Sequence, residues 1–356
     1  MKREEVQKNL TKAIKDNKYS GVFISSPRSG KTKAVLDSLL DVKHLKILII
    51  VPRNSIIDSW EFECKKWGYD GELKYIHRNY LHTLDLREFD LIVKDECHKI
   101  SDREVQLLKQ AWKPMLFITG SLSKRKKDFI LINFGLKEKF NYSVNDAIDD
   151  DVISNYTINV HTCELDNTDR IIEIITNRKH AILTEREAYD YFTVIIDSLA
   201  DLPSKHLLRM RYAGKRARLI YNSKNKIELC KNLVKKAKRV LVFSSNTTTA
   251  NEFCKNTFHS LSRDETALEK FKQNKIKKLA VVNMADEGIT ILNLKHAIIH
   301  QLNSVEETAI QRILRVMNYE DGKNAQIDIC VIKNTVDENW LKNSLKFVKH
   351  EKINYV

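Results

Sequence analysis

An apolar run of strand length, Gly21 to Ser25, passes directly into Ser26-Pro27-Arg28-Ser29-Gly30-Lys31-Thr32 and then into an amphipathic stretch carrying Ala34, Val35 and Leu39. A buried strand that turns through a short loop into a helix is one step of a parallel α/β sheet, because parallel neighbours need a crossover. The same rhythm recurs. Lys46 to Val51, Leu91 to Asp95 and Met115 to Thr119 read as further strands, and Arg239 to Phe243, Lys278 to Val282, Ala297 to His300 and Gln326 to Ile332 repeat the pattern near the end. These runs are continuously apolar rather than alternating, as expected of strands covered on both faces. At 356 residues the chain exceeds a single ordinary core. The expectation is an α/β fold of two tandem domains, each a mostly parallel sheet flanked by helices.

The acid-rich stretch Asn145 to Asp151 is the candidate linker, giving domains at 1–150 and 151–356. The segment 166–227 reads as mostly helical. It holds no acid between Leu202 and Ile227 but carries Lys205, Arg209, Arg211, Lys215, Arg216, Arg218, Lys224 and Lys226. With a formal net charge of +14, a polyanionic partner follows. The six cysteines form no C-x-x-C pair and the histidines lack ligand spacing, which argues against structural zinc and for a reducing, cytoplasmic setting. No apolar run is long enough to cross a bilayer. Trp60, Trp67, Trp112 and Trp340 fall at helical positions and read as core or interface.

Ser25 to Thr32 follows the phosphate-loop pattern, with Ser25 where the strict form has its first glycine. In such a loop the backbone N–H groups of Arg28, Ser29 and Gly30 face phosphates, Lys31 neutralises them and the Thr32 hydroxyl holds Mg²⁺. Downstream, the strand ending at Lys94 delivers Asp95 and Glu96 side by side. A carboxylate pair there suits magnesium chemistry, with Asp95 on the ion and Glu96 polarising the attacking water.

The order of these strings resembles superfamily 2 helicases and translocases of the DExH-box class, which have two RecA-like domains, and the resemblance covers nearly the whole chain. Gln7 resembles the glutamine that reads adenine in that family. Pro52 and Arg53 lie in a string like motif Ia, which holds nucleic-acid phosphates. Asp95-Glu96-Cys97-His98 is the DECH form of motif II, and Thr119-Gly120-Ser121 resembles motif III, so His98, Thr119, Gly120 and Ser121 are expected to couple the ATP site to the nucleic-acid track. Val240 to Asn246 resembles motif IV, giving Ser244 and Asn246 as nucleic-acid contacts. Asn283 to Ile291 resembles motif V, giving Asp286 and Gly288 to the nucleotide. Gln311, Arg312 and Arg315 resemble motif VI, with Leu314 in place of glycine and Asn318 in place of the last arginine.

The resemblance implies a small, phage-type motor that takes ATP with Mg²⁺ in a cleft between its domains and acts on single-stranded, forked or branched DNA. RNA is the alternative substrate, and a nucleic-acid-binding protein with a weakened ATPase is the alternative activity. Arg209, Arg211 and Arg216 of the acid-free segment are expected on phosphates.

Overall fold

The computed structural model describes residues 2–152, 155–175, 180–259, 266–282, 291, 294–302, 324–346 and 348–356. They divide into two compact units, one running to Asn155 and the other starting at Tyr156.

In the first unit six strands, β1 (Gly21–Ser25), β2 (Ile47–Val51), β3 (Leu73–His77), β4 (Leu91–Lys94), β5 (Met115–Thr119) and β6 (Glu138–Tyr142), form one sheet in the order β3-β2-β4-β5-β1-β6. Every adjacent pair is parallel. The central strands are buried at each residue, which is why they read as unbroken apolar runs. One face packs on helices Arg3–Asp16, Lys31–Leu39 and Asn54–Trp67 through Leu10, Val35 and Trp60. The other packs on Asp102–Leu108 and Lys124–Phe134 through Val105, Leu108 and Ile130. The acidic stretch read as a linker forms the helix Val144–Asp149, shortly before the change of unit after Asn155, and Tyr142 donates to Asp150 at 3.1 Å. Its charges sit on an exposed surface, where water screens them and a short helix tolerates them. Trp112 is corrected, since it lies in the loop before β5 with φ of 50° and is 92% exposed.

In the second unit, β7 (Asn155–Cys163), β10 (Val240–Ser244), β11 (Thr257–His259), β12 (Lys278–Val282), β13 (His296–Ile299), β14 (Asn324–Ile332) and β15 (Ile353–Tyr355) form a sheet ordered β11-β12-β10-β13-β14-β7-β15. The pairs from β11 through to β14 are parallel, as are β7 and β15. The segment 166–227 is not all helix. It opens with an antiparallel hairpin of β8 (Ile172–Ile175) and β9 (His180–Leu183), followed by helices Glu185–Ser198 and His206–Tyr221. The isoleucines that look helical alternate in and out along β8.

Two buried charge clusters brace this unit. Lys226 and Asp337, both fully buried, meet at 2.5 Å, and Asp337 also accepts the Ile332 N–H at 3.0 Å. Asp328, 2% exposed, accepts from His296 Nε2 at 2.5 Å, His161 Nε2 at 3.0 Å and Asn159 at 2.9 Å, joining β13, β14 and β7. Burial raises the Asp328 pKa, but these donors outweigh it and hold the carboxyl well below its usual range. A folded-state pKa below the unfolded one stabilises the fold at pH above the unfolded value, near 4, and the gain disappears as pH falls towards the folded value. Asp328→Asn is therefore expected to be less stable than the parent at pH 7, with the gap closing below about pH 4. Urea midpoints measured across that range check it, and a pH-independent gap would refute the linkage.

Candidate functional site

The residues singled out in the first unit converge at the C-terminal ends of β1, β5 and β4. β5 lies between the other two, so Thr119 at its end sits between the loop after β1 and the carboxylates after β4. Gly30 opens helix Lys31–Leu39 with φ of 90°, a left-handed conformation that glycine adopts without strain. A Cβ there would also lie 2.0 Å from Gln7 Nε2, which donates to the Ser29 carbonyl at 3.1 Å. Gln7 thus reaches the loop itself. Ser25, the residue in place of glycine, is buried with its hydroxyl 2.7 Å from the Ser29 hydroxyl, so the substitution cross-links the two ends of the loop. Gly120 marks a second close approach, since a Cβ there would lie 2.8 Å from Pro27 Cγ and 3.1 Å from Lys31 Nζ. Motif III and the lysine of the loop are neighbours.

Glu96, with φ of 46°, turns its carboxylate towards His98 and Thr119. His98 Nδ1 is 3.3 Å from Glu96 Oε2 and 2.9 Å from the Thr119 hydroxyl, which donates to the Ser121 carbonyl at 3.0 Å. Asp95 is fixed on both oxygens, accepting the Glu96 N–H at 2.8 Å and Trp60 Nε1–H at 2.9 Å. Burial first, then the charge of Glu96, pushes the Asp95 carboxyl up, against Trp60 and Lys31. Burial also acts to raise Glu96, but Lys31 and His98 overcome it and hold Glu96 well below the carboxylate range. The pair is thereby split, with Glu96 the group kept ionised. The donor set of Thr32 hydroxyl and carboxylate oxygens with the Lys31 ammonium fits a hard cation on a polyphosphate.

Sequence reasoning missed what holds this site from behind. Trp60, expected as core or interface, is 2% exposed and belongs to the core of the first unit. Its N–H serves a buried carboxylate, so Trp60→Phe is expected to lower the unfolding free energy by about 2 kcal/mol, measured by urea unfolding. An unchanged midpoint would mean water takes over the bond. Behind β4, Lys94 and Glu104, both almost fully buried, meet at 2.9 Å, with Arg78 3.4 Å from the same carboxylate. Glu104 also accepts from the Ser101 N–H at 2.9 Å, completing a capping box at the start of helix Asp102–Leu108. The Ser101-x-x-Glu104 spacing of a capping box and the lysine inside an apolar strand are the signals that could have found it.

The nucleic-acid candidates separate. Arg53, half-buried after buried Pro52, precedes helix Asn54–Trp67. Ser244 is 1% exposed and its hydroxyl lies 2.5 Å from Thr249 Oγ1, while the Asn246 side chain caps helix Thr247–Phe253 by accepting the Thr249 N–H at 2.9 Å. Both therefore serve the turn. Arg209 is half-buried and Arg211 exposed. Arg216 donates to Thr193 Oγ1 at 3.0 Å and stacks over Tyr189, so its guanidinium lies against helix Glu185–Ser198. Asp286, Gly288, Gln311, Arg312 and Arg315 lie outside the described residues.

Residues 225–320 match the helicase conserved C-terminal domain. The whole chain is similar to solved helicase structures: Dbp5 of S. cerevisiae bound to RNA and ADP BeF3 (11% identity, 95% of this chain and 85% of that one, TM-score 0.59) and the Hef helicase domain of Pyrococcus furiosus (13%, 96% and 97%, TM-score 0.52). A fragment of a putative HsdR subunit of a type I restriction enzyme from Vibrio vulnificus is similar too (14%, 99% and 67%, TM-score 0.62). The chain has the tandem RecA-like helicase fold. No curated protein matches it. Among the described residues, no helix is long and apolar enough to cross a membrane, and no cluster of His, Cys, Asp and Glu could hold a metal by itself.

Proposed function

We propose that this chain is a DExH-box motor of superfamily 2, a nucleic-acid-stimulated ATPase that translocates on or remodels DNA. The observation that supports it best is the meeting of the Lys31 loop, Asp95, Glu96, His98 and Thr119 at the ends of three adjacent strands. Lys31 and the loop backbone would bind the phosphates of ATP, and Thr32 with Asp95 would hold Mg²⁺, which when bound supplies charge stabilisation to the departing phosphate. Glu96, ionised and fixed beside His98, is placed to orient the attacking water and accept its proton. Thr119 and His98 then link the state of Glu96 to the loop following β5. Arg312 and Arg315 would add guanidinium charge and Gln311 a neutral amide donor, with Asn318 leaving Arg315 the main stabiliser of the γ-phosphoryl oxygens.

Phosphate release compared with single-stranded, duplex and forked DNA and with RNA tests the reading. Stimulation strongest with DNA is the expected result; stimulation by none of them would overturn it. The exposed cations of helix His206–Tyr221 are proposed to grip the backbone. Charge reversal of Arg211 is expected to weaken DNA binding for all sequences alike and to reduce the salt slope by about one unit, measured by titration at several salt concentrations.

A further inference from the structure

We infer that a cavity in the second unit, between the β8–β9 hairpin and helices Glu185–Ser198 and His206–Tyr221, is a pocket that lodges one base of a single-stranded nucleic acid. This rests on the nucleic-acid reading above. The cavity has a volume of about 310 Å³, the scale of a ring system with its sugar and too small for a duplex. Ile172, Ile174, Phe192 and Leu219 give it an apolar lining that includes an aromatic ring, and bases stack on such rings without regard to sequence. Lys215 and Arg218 line it from the helix, and Arg211 precedes them at i, i+4, i+7 spacing, so the three exposed cations form one stripe leading to the cavity. Among the described residues, none of the three has a carboxylate partner.

The interior has the opposite sign. Glu185, 3% exposed, accepts from the Ser223 hydroxyl at 2.7 Å, the Lys224 N–H at 2.8 Å and the Asp166 N–H at 3.1 Å, while Glu173 at the rim is exposed and pairs with His180 at 2.5 Å. A phosphate inside would face the buried Glu185 carboxylate. An uncharged flat ring would not, and phosphates to either side would meet the cationic stripe. The stripe extends beyond the cavity, so the ligand it suits is a strand rather than a free nucleotide.

The test is a fluorescence-anisotropy titration of the full chain with single-stranded DNA and RNA, each either intact or built of abasic spacers. The abasic strand is expected to bind about tenfold more weakly. Ile174→Phe, which fills the cavity, is expected to bring the two strands to equal affinity while leaving the salt dependence in place. Equal binding of both strands by the parent chain overturns the pocket, as does a preference that survives Ile174→Phe. Should that variant not fold, photocrosslinking of the parent chain to a strand carrying 5-iodouracil decides. Crosslinks at Ile172, Ile174 or Phe192 support the pocket, and crosslinks confined elsewhere overturn it. ATP turnover, followed separately, keeps the two readings apart: the pocket can fail with stimulated turnover intact, and the base preference can stand in a chain that does not turn over.

Discussion

Glu96→Gln is expected to reduce nucleic-acid-stimulated phosphate release by about 10²–10⁴-fold while leaving ATP binding close to the parent value. The amide keeps the size of the side chain but cannot accept a proton, and Asp95 and the Lys31 loop are untouched. Lys31→Ala should also abolish turnover, by a different route. Its ammonium is the charge that holds Glu96 ionised as well as the one facing the phosphates, so both binding and turnover fall. Single-turnover hydrolysis together with equilibrium binding of a fluorescent ATP analogue separates the two. Parent-like turnover in Glu96→Gln would remove Glu96 from the chemistry and with it the reading of the DECH string.

The second large effect is on stability. Asp337→Ala and Lys226→Met are each expected to destabilise the second unit by about 3–5 kcal/mol, because either change leaves the other charge fully buried without its partner. Asp337→Ala also strips the Ile332 N–H of its acceptor. The double variant Lys226→Met with Asp337→Leu should lose less than either single one, since an apolar pair of similar volume carries no desolvation penalty. Denaturant midpoints of the parent, Lys226→Met, Asp337→Leu and the double variant form the cycle that checks this. A double variant no more stable than the singles would mean that the hydrogen bond to Ile332, rather than charge burial, dominates.

The interior of each sheet was legible because its strands are buried on both faces and so are written in unbroken Val, Ile, Leu and Phe. The periphery was not. β3 and β6 lie at the edges of the first sheet, and their half-exposed residues such as Lys74, Glu138 and Lys139 dilute the apolar signal below recognition. β8 failed for a related reason, since isoleucine fits a helix face and a strand face alike and only its partner β9 decides. At the site, motif order located Lys31, Asp95, Glu96, His98 and Thr119, because their spacing reflects a loop or a strand end. Roles of single side chains are less legible. Ser244 and Arg216 look like phosphate contacts in sequence, and the fold adds that the first bonds within a turn and the second to a neighbouring helix. Hydrogen-bond partners far apart in the chain leave no trace in spacing.

Glu104 has a consequence for how the chain can be altered. One carboxylate caps a helix, neutralises the lysine inside β4 and engages Arg78, so four positions (78, 94, 101 and 104) form a single constraint reaching the strand that presents Asp95. In a saturation library these positions should respond as a group, with single changes depleted and compensated combinations, such as an apolar residue at 94 with glutamine at 104, recovered together. The DECH string could then be transplanted into another scaffold only along with those partners, of which only Ser101 and Glu104 share a recognisable spacing, that of a capping box.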